Sequence, residues 1–173
     1  PGAERTVRVR IGSMAKMRRA RYLDWVASRR ELVQSLATGG GGAGALPRCA
    51  VGYVHIADME EGGYADFTRQ FLAECRSEVG ALLLDLRGNE GGNISDLILG
   101  RLTQRRLGRE LAPHGLACTI PEHAAPHGLV VLVDEFTSSD GELLAHHLQA
   151  MLHAPVVGHR TWGGVIAMDE TEL

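Results

Sequence analysis

"GLVVLVDEFTSSDGELLAHHLQAMLH", residues 128–153, is the stretch on which the fold turns. Gly128 to Val133 form an apolar run without alternation, the pattern of a strand buried on both faces. From Asp140 onward the apolar residues recur at helical spacing, so a second element, a helix, follows at once. The join between them admits two readings. Ser139-Asp140-Gly141-Glu142 is a capping box, Ser-x-x-Glu, which ends a turn and starts a helix. A serine on a sharp strand-to-helix turn is also where a nucleophile is presented. The stretch itself leaves both open.

Outward from it, the same rhythm repeats. "AVGYVHIAD" (50–58) predicts a strand, "GYADFTRQFLAECRSE" (63–78) a helix, "GALLLDLRG" (80–88) a buried strand and "NISDLILGRLTQRRLG" (93–108) a helix. "APVVGHR" (154–160) predicts a last strand. Alternating strands and helices with apolar strands indicate an α/β fold, a largely parallel sheet flanked by helices. Upstream, "TVRVRI" (6–11) alternates as a strand does. "MRRARYLDWVASRRELVQSLA" (17–37) places Tyr22, Trp25, Val26, Leu32, Val33 and Leu36 on one helical stripe. "TGGGGAGA" (38–45) reads as a flexible linker.

Composition narrows the function. With 173 residues, 45% apolar and 23% charged, the chain is sized for one domain with a real core. A net charge of −3 gives no electrostatic case for nucleic acid or an anionic membrane as partner. The basic cluster "KMRRARY" (16–22) is a solvated helix face without aromatic interleaving. The longest apolar runs are too short to span a bilayer, and the charged start lacks the apolar segment of a signal peptide. Cys49, Cys75 and Cys118 form no CxxC pair, which favours a reduced, cytoplasmic setting. The abrupt ends suggest part of a longer protein.

In sheets of this kind chemistry gathers at the carboxyl ends of the strands. One such end carries "DLRGNEGGN" (85–93), with Gly88, Gly91 and Gly92 in a loop that opens a helix and Asn93 as the expected cap. It lacks the GK[ST] ending of a phosphate loop and the spacing of a dinucleotide site. Amides in such a loop can instead hold a developing oxyanion. The eight histidines show no metal spacing: His146 and His147 are adjacent, and His114, His123 and His127 lie in a proline-rich connection. His153 and His159 flank the final strand, and His55 reads as a satisfied strand residue. No metal or cofactor is expected. "HRTWGGV" (159–165) reads as a strand end and turn.

Taken in order, "RYLDWVASRRELV", "GYVHIADM", "LLLDLRGNEGGN", "DEFTSSDGE" and "GHRTWGGV" resemble the core domain of the tricorn proteases, relatives of the C-terminal processing peptidases. The resemblance spans about residues 20–167. It implies a serine peptidase on a crotonase-like, Clp-protease-like α/β fold of repeated ββα units, and it resolves the opening question for Ser139 as nucleophile. It further implies an oxyanion hole from the Asp140 amide and the Gly91 amide, with Gly92 as the fallback, and a basic P1 preference through the Asp140 side chain. Glu90, beside that hole, is expected to face solvent.

Lys16 is the only lysine and precedes Ser139, so the Ser–Lys pair of the tail-specific branch is unavailable. Arg160 cannot act as a base near neutral pH. The resemblance then implies a histidine base from outside this chain, residues 1–17 ending a PDZ-like domain and residues 18–173 forming a peptidase core truncated on its C-terminal side. The implied partners are peptides and further copies of the chain in a hexamer-like ring. Two alternatives are a non-catalytic peptide-binding or assembly domain and a crotonase-type acyl-CoA enzyme. The latter has no need of a nucleophilic serine.

Overall fold

The computed structural model describes residues 7–8, 12–39, 50–76, 79–115 and 117–166. Four strands form one parallel sheet: β1 (Ala50–His55), β2 (Val79–Asp85), β5 (Gly128–Val133) and β6 (Val156–Gly158), in the order β1-β2-β5-β6. The helices between them are α2 (Glu61–Glu74), α3 (Ser95–Leu102) and α4 (Asp140–Leu152), preceded by α1 (Met14–Gly39). The architecture is α/β with a parallel sheet flanked by helices, as the apolar strand runs predict.

Register places β2 and β5 at the centre of the sheet. β2 pairs with β1 from His55↔Asp85 back to Ala50↔Val79, and with β5 through Ala81↔Gly128 to Asp85↔Leu132. Both edges of β2 are therefore hydrogen-bonded, but the two faces are covered unequally: Leu82, Leu84 and Val131 are almost wholly buried beside Phe67, Phe71, Leu144 and Leu148, whereas Leu83, Val130 and Leu132 on the other face are only half-buried. Burying a leucine or phenylalanine side chain is worth about 1.5–3 kcal/mol, so this cluster carries much of the fold's stability. α1 and α2 pack against β1, while α3 and α4 pack against each other and α4 against β5.

Several sequence expectations change here. The helix expected to run to residue 108 stops at Leu102, and a short antiparallel pair follows, β3 (Gly108–Glu110) with β4 (Cys118–Ile120), the second strand lying in the stretch read as a proline-rich connection. Three-residue, largely exposed strands leave no periodic signal to read. On α1 the expected apolar stripe is covered only in part: Val26 is buried, but Leu32 and Leu36 are exposed. The strand expected over 6–11 and the linker beyond Gly39 lie outside the described residues, apart from residues 7 and 8, which form no strand.

α1 is fixed to β1 through His55. The Tyr22 hydroxyl donates to its Nδ1 at 3.0 Å, its Nε2 donates to the Arg87 carbonyl at 3.1 Å, and Trp25 meets its ring edge-on. Burial pushes its pKa down, which keeps the ring neutral. His55 is thus the satisfied strand residue the sequence suggested.

The end of β2 is anchored by a buried carboxylate. Asp85, fully buried, accepts from the Tyr53 hydroxyl at 2.7 Å and from Arg87 Nε at 2.9 Å. Burial alone would raise its pKa, but the hydrogen bonds from Arg87 and Tyr53 outweigh it and hold the carboxyl below its ordinary value. The sign follows directly. Its contribution is present above the ordinary carboxylate pKa and is lost as pH falls through the lower folded value. We expect Asp85→Ala to cost about 3 kcal/mol, because Tyr53 and Arg87 lose their acceptor. Urea unfolding of both proteins checks this, and the gap between them should narrow in acid.

Candidate active site

Beyond the carboxyl ends of β2 and β5 the chain makes two turns, residues 86–93 and 134–139, that are laced together. Asp134 Oδ1 accepts the Gly88 N–H at 2.9 Å and the Thr137 N–H at 3.0 Å. The Ser138 N–H donates to the Asn89 carbonyl at 2.9 Å. Asn89 is fully buried, and its Nδ2 donates to the Ile56 carbonyl at 2.9 Å, which brings the end of β1 into the same network. Thr137, also buried, donates from its hydroxyl to the Leu86 carbonyl at 2.9 Å.

Ser139 stands at the tip, as N-cap of α4, with φ +49° and ψ −122°. A positive φ at a residue with a Cβ is strained and persists only where its surroundings fix it. The capping-box pattern is present, and here the Glu142 carboxylate accepts the Ser139 N–H at 3.0 Å. The cap and nucleophile readings are compatible, because the box holds the turn while the serine lines a cleft of about 440 Å3. Glu90, Glu135, Phe136, Trp162 and Ile166 also line it. Glu90 is exposed, as expected, yet it forms part of the wall.

The glycine loop lies directly against this serine. Gly91 has φ +100°, and a Cβ there would sit 2.7 Å from Ser139 Cβ and 3.2 Å from the Asp140 nitrogen. Its N–H, however, donates to Asn89 Oδ1 at 2.9 Å, so the amide first assigned to the oxyanion is engaged within its own loop. The next peptide is placed differently. The Gly91 carbonyl accepts the Met59 N–H at 2.8 Å, and because a trans peptide points its N–H opposite its C=O, the Gly92 N–H is directed away from Met59.

Asp140 divides in two. Its amide follows the serine at the N-terminus of α4, where the helix dipole favours negative charge. Its carboxylate turns away from the cleft and is buried, accepting the Ser95 N–H at 2.8 Å and the Ser95 hydroxyl in a short bond. This satisfies an orphan N–H at the start of α3, the task the sequence assigned to Asn93, while Ile94 takes the N-cap position. The carboxylates on the cleft wall are Glu90 and Glu135 instead.

Among the described residues no histidine is hydrogen-bonded to Ser139, and no group of His, Cys, Asp and Glu could hold a metal ion. His159 Nδ1 lies 3.2 Å from Glu135 Oε2 at the exposed rim. Hydrogen bonding to its own backbone, and then to His159, holds the Glu135 carboxyl below its ordinary pKa. Sequence reading missed the roles of Asn89 and Asp134, whereas the contact of Glu142 with the Ser139 N–H is the one its capping box predicts. The signal available was only that polar residues cluster beside glycines at two strand ends.

With this geometry in place, comparison with known proteins is specific. The sequence model of peptidase family S41 matches residues 50–173. Tricorn protease homolog 1 of Streptomyces coelicolor is 39% identical over 150 residues, covering 86% of this chain, and the tricorn protease of Thermoplasma acidophilum is 30% identical over 148. The chain spans 13% of the length of each. Among solved structures, a tricorn protease superposes with a TM-score of 0.77 at 29% identity over 90% of this chain and 14% of its own. The photosystem II D1 C-terminal processing protease gives 0.50 at 26% identity, over 70% of this chain and 33% of its own.

Proposed function

This chain belongs to peptidase family S41, and on that footing we propose that it carries the nucleophile and oxyanion hole of a tricorn-type serine peptidase. The observation that carries the reading is Ser139 at positive φ on the strand-to-helix turn, packed against Gly91 in an open cleft. Its hydroxyl attacks the scissile carbonyl. The Asp140 amide and the Gly92 amide, in preference to Gly91, stabilise the oxyanion, each by on the order of 3 kcal/mol. The base is a histidine supplied by a segment beyond these 173 residues. A basic P1 side chain would be met by Glu90 and Glu135 rather than by the buried Asp140 carboxylate. The protein acts on peptides in the cytoplasm as a ring of identical subunits. Among the described residues no helix is long and apolar enough to cross a membrane.

A fluorophosphonate probe followed by mapping of the modified residue tests the nucleophile. Labelling should fall on Ser139 in the full-length protein and be far slower in the isolated chain. Labelling elsewhere would overturn the assignment and favour a binding or assembly domain. Fast labelling of the isolated chain, lost in His159→Ala, would move the base to the Glu135–His159 pair. For specificity, Glu90→Gln with Glu135→Gln should raise KM for an Arg peptide about tenfold and leave a Leu peptide unchanged. An equal effect on both peptides would remove these carboxylates from the P1 site.

A further inference from the structure

Glu142 is tied to more than the helix start. Besides the Ser139 N–H, its carboxylate accepts the Gly163 N–H on Oε1 at 2.8 Å and the Gly164 N–H on Oε2 at 3.0 Å. Those two residues lie far along the chain from the nucleophile turn, in the segment that follows β6. Trp162, between Thr161 and Gly163, donates its N–H to the Thr137 carbonyl at 3.1 Å and lays its ring along the cleft. The segment 161–164 is therefore a wall of the site, and the nucleophile turn is what it hangs on.

We propose that Glu142 is a positioning residue that locks the substrate-binding wall 161–164 to the strained nucleophile, so that the two are ordered or released together. The proposal rests on Ser139 as the nucleophile. A helix cap needs only one of these contacts, since in a capping box the N3 carboxylate has just the N-cap N–H to accept. A carboxylate collecting three backbone N–H groups makes charge-assisted bonds to each, and losing the charge weakens all three at once. Burial alone would raise the Glu142 pKa, but bonds from Thr161, Gly163, Gly164 and Ser139 prevail and hold it below the ordinary carboxylate value, so the group is ionised near neutral pH. Ser139 at φ +49° has no intrinsic reason to stay there, and its N–H is held by the same oxygen that holds Gly164. Substrate pressing on the wall is thereby felt at the nucleophile.

The test is residue-resolved amide hydrogen exchange on this chain without substrate, which reads the coupling whether or not the peptidase reading holds. In Glu142→Gln the amides of Ser139, Gly163 and Gly164 should all exchange at least tenfold faster, while Leu84 and Val131 in the sheet keep their protection. Release of Gly163 and Gly164 with Ser139 unchanged, or no change at any of the three, would overturn the proposal. Should Glu142→Gln unfold the chain, Gly164→Ala approaches from the other side. Its Cβ would strike the Trp162 ring and dislodge the wall without touching residue 139. The Ser139 amide must then also lose protection, and wild-type exchange there would sink the coupling. In the active full-length protease, Glu142→Gln should lower kcat and raise KM together. Loss of a merely structural wall would raise KM alone.

Discussion

Ser139→Ala should abolish peptide hydrolysis by the full-length protein, with kcat/KM falling at least about a thousandfold, or roughly 4 kcal/mol of transition-state stabilisation. Removal of a serine nucleophile leaves only what binding and the oxyanion amides can do for attack by water. The cost in stability should be small and could have either sign, because alanine at φ +49° bears the same backbone strain while the capping contact from Glu142 reaches the backbone and not the hydroxyl. Steady-state kinetics on an arginine peptide, with urea unfolding as the control for folding, reads both quantities. Activity within tenfold of wild type would remove Ser139 from the mechanism and return it to the role of a helix cap.

The second large effect is expected at a glycine. At Gly92 φ is +143°, and a Cβ there would overlap the Met59 carbonyl oxygen and come within 2.8 Å of Met59 Cβ. Gly92 is also the loop's half of an isolated parallel bridge to Met59, flanked by Met59 N–H to Gly91 O at 2.8 Å and Asn93 N–H to Met59 O at 2.9 Å. Gly92→Ala must break that bridge, and the peptide whose N–H is proposed to meet the oxyanion turns with it. We expect a loss on the order of 3 kcal/mol in stability, from strain and lost hydrogen bonds. Activity should fall by about a hundredfold or more, the usual cost of one oxyanion donor. A variant with full activity and a urea midpoint equal to wild type would show that Gly92 neither faces the oxyanion nor needs its backbone conformation.

These two residues also mark how far the sequence could be read. The order of strands and helices was legible because β2 and β5 are the central strands of the sheet, paired on both edges, and carry apolar runs between stretches of helical spacing. The β3–β4 pair was not, since three-residue exposed strands leave no pattern. Ser139 was singled out by its place after a buried strand and before a helix, and the family resemblance chose between cap and nucleophile. Which glycine amide is directed away from Met59 could not be read, because it depends on the Asn89 side chain accepting from Gly91, a contact within the turn that spacing does not encode. The Asp140 carboxylate was assigned to substrate for a similar reason. Its partner Ser95 lies on another helix, and nothing in either local stretch announces the meeting.

The strand order sets when the candidate site can assemble. β2 and β5 are neighbours in the sheet, but α3 and the β3–β4 hairpin separate them in the chain. Pairings between distant segments form late, because loop closure must be met before the contacts are made. The glycine turn follows β2 and the serine follows β5, so neither half of the site has a partner until that pairing closes. The candidate oxyanion loop and the candidate nucleophile are thus brought together by one long-range event, the docking of β5 beside β2.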